Sequence, residues 1–124
     1  MVREPYAGRR VLIVEDEYFL ADDLRQILAE LGMEILGPVP NLRDGLRVIE
    51  TAAHIDCAVL DVNLRGESVF AISAALRDRN IPFLFVTGYG GAQIPVEYRS
   101  APRLEKPLEP DALVAAIRTV IDTV

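Results

Sequence analysis

Apolar residues fall into five short runs, Arg10 to Val14, Glu34 to Pro38, Asp56 to Leu60, Pro82 to Val86 and Arg103 to Glu105, separated by stretches of helical spacing. That alternation predicts a parallel sheet, because strands joined by helical crossovers are covered on both faces and lose the alternation of a half-solvated strand. Between the first two runs, Leu20, Leu24, Ile27, Leu28 and Leu31 recur at helical spacing, and Gly32 stands where a left-handed residue ends a helix. Leu42, Leu46, Ile49 and Ala53 form a second stripe after an Asn41 cap, with Gly45 weakening its interior. Ser68 is placed to cap a third helix carrying Val69, Ile72, Ala75 and Leu76. The last helix opens with Pro110 and Asp111 in its first turn and should bury Leu113, Ile117, Val120 and Ile121.

The fourth connection breaks this rhythm. Gly88, Tyr89, Gly90, Gly91 and Pro95 crowd it, so the expectation is a mobile loop with at most a short helix. Right-handed crossovers then give the strand order 2-1-3-4-5, with a switch point between the first and third strands. The expected architecture is a single α/β domain over residues 1–124, a doubly wound five-stranded parallel sheet. The last helix runs to the end of the sequence, so neither a linker nor an output domain is expected.

Composition narrows the function. The net charge is −6, from 13 basic and 19 acidic residues, with no basic run, which argues against nucleic acid as a direct partner. No signal peptide and no membrane-spanning run is present, so a cytoplasmic protein with no membrane partner is expected. Cys57, the single cysteine, excludes an internal disulfide and a cysteine zinc site, and its apolar neighbours make it a core residue. His54, in the loop before that strand, has no serine beside it to form a dyad and reads as a solvated residue.

Two aspartates interrupt apolar runs where a charge is costly, Asp16 beyond Val14 and Asp61 beyond Leu60. In parallel neighbouring strands both carboxylates, with Glu15, converge at the carboxyl edge of the sheet, where open α/β sheets bind ligands. Clustered carboxylates repel, and a hard divalent cation such as Mg²⁺ is their natural occupant. Asn63 can add a main-chain carbonyl oxygen. Thr87 offers a hydroxyl at the end of the fourth strand and Lys106 an ammonium at the end of the fifth. A carboxylate nucleophile, a divalent metal, a hydroxyl and a lysine suit phosphoryl transfer onto oxygen, with Asp61 as acceptor. Taken singly, each has a bland reading: Glu15 and Asp16 as caps of the first helix, a role compatible with metal binding, and Asp61 as the start of a turn with Asn63.

Val11 to Glu17 (Val-Leu-Ile-Val-Glu-Asp-Glu), Val59 to Leu64 (Val-Leu-Asp-Val-Asn-Leu), Phe85 to Gly88 (Phe-Val-Thr-Gly) and Leu104 to Leu108 (Leu-Glu-Lys-Pro-Leu) resemble, in order and spacing, the response-regulator receiver domains of two-component signalling. The resemblance covers essentially the whole chain. It implies the flavodoxin-like fold, phosphorylation of Asp61 from a histidine kinase or phosphotransfer protein, and Mg²⁺ held by Glu15 and Asp16. It further implies phosphoryl contacts from Thr87 and Lys106, with a cis peptide before Pro107 aiming the lysine inward. A downstream protein target is implied, and a homodimer is a further candidate assembly. Many receivers carry an aromatic residue three positions before the lysine; here that residue is Arg103. Phe85 to Gly90 instead looks like a subgroup with a Phe-Ala-Thr-Gly-Tyr type motif, often single-domain proteins, in which the loop after the fourth strand does the switching. Gly88, Tyr89 and Arg103 are therefore the expected switch positions.

Three rivals are weaker. A phosphatase of the haloacid-dehalogenase class needs a general acid two residues after its nucleophile, where Asn63 stands. An FMN-binding flavodoxin-like module must cradle a phosphate in the first strand-to-helix turn, where Glu15, Asp16 and Glu17 would repel it. A receiver-like binding module that never carries phosphate would have no use for the complete acceptor set.

Overall fold

A computed structural model of the protein describes residues 6–88 and 94–122. Five parallel strands, β1 (Arg10–Val14), β2 (Glu34–Val39), β3 (Cys57–Asp61), β6 (Phe83–Thr87) and β7 (Arg103–Glu105), form one sheet in the spatial order β2-β1-β3-β6-β7. In chain order of the parallel strands this is 2-1-3-4-5, the flavodoxin-like arrangement expected of right-handed crossovers. Helices α1 (Tyr18–Glu30), α2 (Leu42–Thr51), α3 (Phe70–Asp78) and α4 (Pro110–Asp122) cover it.

The two faces follow from strand parity. Leu12, Ala58, Leu60, Phe83 and Phe85 pack with Ile49 of α2 and Ile72 and Leu76 of α3. Val11, Ile13, Cys57, Val59, Leu84 and Val86 pack with Leu24 and Leu28 of α1 and Leu113 and Ile117 of α4. Every residue of β3 and β6 is buried, which explains their unbroken apolar sequences. Burial pushes the Cys57 thiol up to about 12, with the Asp56 charge adding to it, so this cysteine is core material and not a nucleophile.

Several local expectations need correction. Ala53 lies beyond the end of α2 and is exposed, because Ala52 takes extended backbone and ends the helix. Val69, not Ser68, is the N-cap of α3; Ser68 ends an antiparallel hairpin and its hydroxyl accepts the Phe70 N–H at 3.3 Å. Ile121 is only partly buried. Gly45 earns its place in α2 by close packing, since a Cβ there would lie 2.6 Å from Ile72 Cδ1.

The hairpin was not anticipated. Strands β4 (Asn63–Leu64) and β5 (Glu67–Ser68) pair antiparallel directly after β3, around a two-residue turn with φ of 51° at Arg65 and 87° at Gly66. In the fourth connection the described residues contain one short 3-10 turn, Val96–Tyr98. The expected mobile loop falls on residues 89–93, outside the described residues. Among the described residues no helix is long and apolar enough to cross a membrane.

Candidate functional site

The carboxyl ends of β1, β3, β6 and β7 meet at one edge of the sheet. Parallel pairing sets Val14 beside Leu60 and Asp61 beside Val86, so Glu15, Asp16, Asp61 and Thr87 leave the sheet at neighbouring points. The backbone ties these ends together: Val62 N–H donates to Val86 O at 3.1 Å, and Lys106 N–H to Thr87 O at 2.8 Å.

Glu15, Asp16 and Asp61 each present a carboxylate oxygen within 4.8 Å of the others. Glu17 caps α1 instead of its acidic neighbours, accepting from Phe19 N–H at 3.1 Å and Leu20 N–H at 2.7 Å. That leaves Glu15 and Asp16 for the cleft and fills the helix N-terminus where an FMN phosphate would have to sit. Glu15 is 2% exposed and Asp61 4%. Burial above all, then the neighbouring Asp61, raises the Glu15 carboxyl to about 8, against the opposing pull of the Glu17 N–H and Lys106.

Cations offset part of this charge. Lys106 Nζ lies 3.4 Å from Asp61 Oδ2 and 3.7 Å from Glu15 Oε1, and the Lys106–Pro107 peptide is cis. Arg65 Nε lies 3.4 Å from Asp16 Oδ2. Asn63 N–H donates to Asp61 Oδ1 at 3.1 Å, and the Asn63 side chain accepts the Gly66 N–H at 2.9 Å, so the hairpin helps hold the aspartate.

Two buried oxygens in this region, Glu15 Oε1 and Thr87 Oγ1, have no hydrogen-bond partner. A buried polar atom without a partner is costly, and such atoms at a cleft are suited to a ligand. Three clustered carboxylates with an unsatisfied inner oxygen form a hard donor set that fits Mg²⁺.

The switch positions are more dispersed. Gly88 follows Thr87 and is exposed, with open space where a Cβ would stand. Arg103 opens β7, exposed and in register with Phe85. Tyr89 lies outside the described residues. Sequence reasoning missed a cluster in which Phe70, Phe83 and Phe85 pack around Tyr98, the rings of Phe85 and Tyr98 being 6.5 Å apart. It also missed Arg65, because Arg-Gly is not among the residue pairs that mark a tight hairpin turn and only Gly66 hinted at one.

The model of the response regulator receiver domain matches residues 11–118. Among solved structures, the chain is similar to SdrG from Sphingomonas melonis Fr1, with 36% identity, a TM-score of 0.82 and coverage of 92% of this chain and 97% of that one. A receiver domain of a LuxO repressor protein from Vibrio parahaemolyticus shares the fold at a TM-score of 0.80 and 23% identity, covering 94% of this chain and 92% of that one. Among curated proteins, the transcriptional regulatory protein PdtaR of Mycobacterium tuberculosis is 31% identical over 91% of this chain and 57% of its own length. YbdJ of Bacillus subtilis, named as a transcriptional regulatory protein, is 28% identical over 93% of this chain and 52% of its own. The chain thus spans about half the length of the curated relatives it matches. With that match and the carboxyl-edge geometry together, the chain belongs to the response regulator receiver domain family, a family of signalling proteins.

Proposed function

We propose that the chain is a phosphoacceptor in which Asp61 takes a phosphoryl group from the phosphohistidine of a histidine kinase or phosphotransfer protein. One Asp61 oxygen attacks phosphorus, the P–N bond to the donor imidazole breaks, and the imidazole leaves with that electron pair to give an aspartyl phosphate. The observation that carries this reading is the placement of Asp61 at the end of the central strand. Its carboxylate is held by Asn63 N–H and Lys106 within reach of two further acids.

Glu15, Asp16, Asp61 and the main-chain carbonyl of Asn63 would hold Mg²⁺, which supplies charge neutralisation at the phosphoryl oxygens. The Asn63 N–H fixes the rotation of the Asp61 carboxylate before a donor arrives. Lys106 offsets negative charge on the transferred group, and the unpartnered Thr87 hydroxyl donates to it. The protein promotes its own phosphorylation and dephosphorylation and turns over no separate substrate.

Output runs through protein contacts, in keeping with the net charge of −6, and we place the protein in the cytoplasm. With Arg103 in the usual aromatic position, the segment from Thr87 through Gly88 to Tyr89 acts as the switch, drawn inward as Thr87 engages the phosphoryl group. The subgroup assignment rests on Phe85 to Tyr89.

Incubation with acetyl phosphate and Mg²⁺, followed by intact-protein mass spectrometry, tests the reading. One added phosphoryl group is expected, and none when the metal is chelated before the donor is added. No adduct, or one formed equally well without divalent metal, would refute it.

A further inference from the structure

Arg65 occupies a position that rarely suits arginine. Both residues of the β4–β5 turn have positive φ, 51° at Arg65 and 87° at Gly66, a conformation that glycine and asparagine adopt at least cost. A side chain carrying a Cβ is disfavoured there. The guanidinium nevertheless reaches from the hairpin tip to the end of β1, where Nε stands 3.4 Å from Asp16 Oδ2. The arginine side chain is 83% exposed and the aspartate 14%.

The two cations of the cleft divide the carboxylates between them. Lys106 serves Asp61 and Glu15, at 3.4 and 3.7 Å. Arg65 serves Asp16, and among the described residues it is the one cation ion-paired with that carboxylate. A divalent cation drawing on Asp16 meets a guanidinium already sharing the same charge, and two cations beside one carboxylate repel. The pairing also spans two elements: Asp16 follows β1, whereas Arg65 belongs to the hairpin that follows Asp61.

We propose that Arg65 is a positioning residue that competes with the divalent cation for Asp16, so that metal binding frees the tip of the β4–β5 hairpin from the end of β1. The proposal rests on reading Glu15, Asp16 and Asp61 as the Mg²⁺ site. Its consequence is a metal affinity held below what the carboxylates alone would give, with a hairpin beside the nucleophile that responds to the metal before any phosphate arrives.

An NMR-monitored titration of the full chain with MgCl₂ tests this. Arg65→Asn removes the charge while keeping a residue that tolerates positive φ, so the turn is preserved. It should bind Mg²⁺ about two- to five-fold more tightly at low ionic strength, the range of an exposed ion pair, and the gain should shrink in high salt. Arg118→Ala, which removes an equal charge from the exposed face of α4, should leave the affinity unchanged. In the unsubstituted protein the Arg65 Nε–H resonance should move as Mg²⁺ is added. Equal or weaker binding by Arg65→Asn, or an equal gain from Arg118→Ala, would overturn the proposal while leaving the metal site standing. Absence of any Mg²⁺ response in the unsubstituted protein would remove the metal site and the proposal together.

Discussion

Strand β3 has an aspartate at each end, and the two are held in opposite ways. Asp56, before the strand, is saturated: Oδ2 accepts the Arg10 N–H at 2.7 Å, and Oδ1 lies 2.7 Å from His54 Nε2 and 3.6 Å from Arg9 Nη1. Asp61, at its end, has the Asn63 N–H at 3.1 Å and Lys106 at 3.4 Å, and it shares its cleft with two more carboxylates. A charge flanking an apolar strand is therefore not in itself a functional sign. The difference lies in partners: Asp56 fastens β3 to β1, whereas Asp61 stands among acids with a buried threonine hydroxyl left unpartnered nearby.

Exchanging the roles of the two residues gives the largest expected effect. Asp61→Asn keeps the side-chain shape and removes the anionic nucleophile, so phosphorylation from acetyl phosphate should be abolished while circular dichroism shows an intact fold. Asp56→Ala should do the reverse, losing on the order of 1–3 kcal/mol in urea unfolding through lost charged hydrogen bonds while still accepting phosphate. Undiminished phosphorylation of Asp61→Asn, or its loss in a folded Asp56→Ala protein, would erase the distinction.

The next effect belongs to Glu15. Its carboxyl is raised from an ordinary value of 4.5 to about 8, so over that interval the folded protein keeps a proton that the unfolded chain has released. In Mg²⁺-free buffer the contribution to stability is full below about 4.5 and declines as pH rises towards about 8. Glu15→Gln, which cannot ionise, should flatten that decline in denaturation curves taken across this range. A slope unchanged by the substitution would mean that another group controls it. Near Asp56 no comparable orphaned carboxylate oxygen is found among the described residues.

The smallest expected effect tests the switch. Arg103→Ala should leave the phosphorylation yield unchanged and preserve most of the backbone NMR response at Thr87 and Gly88 to a phosphate mimic with Mg²⁺. Loss of that response would move the coupling into β7.

Much of this arrangement was legible in the residues. Unbroken apolar runs placed β3 and β6 to within a residue, because strands buried on both faces carry no polar interruption. The convergence of Glu15, Asp16, Asp61, Thr87 and Lys106 on one edge followed from strand order alone. Partner saturation was not legible: nothing in the order of residues says that Glu17 would take the capping role or that Arg10 would spend its N–H on Asp56. Those choices depend on contacts across 46 residues in the second case and on local backbone geometry in the first. The Tyr98 cluster was hidden for a related reason, since a lone tyrosine in a 3-10 turn has no periodicity to mark its buried side.

Reductive trapping of the phosphorylated protein with borohydride, followed by peptide mapping, tests the central claim most directly, because it converts an aspartyl phosphate into homoserine at the modified position. The expected result is homoserine at residue 61 alone, formed only when Mg²⁺ was present during phosphorylation. Homoserine at residue 56 or 16, or none anywhere in a protein that had gained a phosphoryl group, would contradict the assignment of Asp61 as the acceptor.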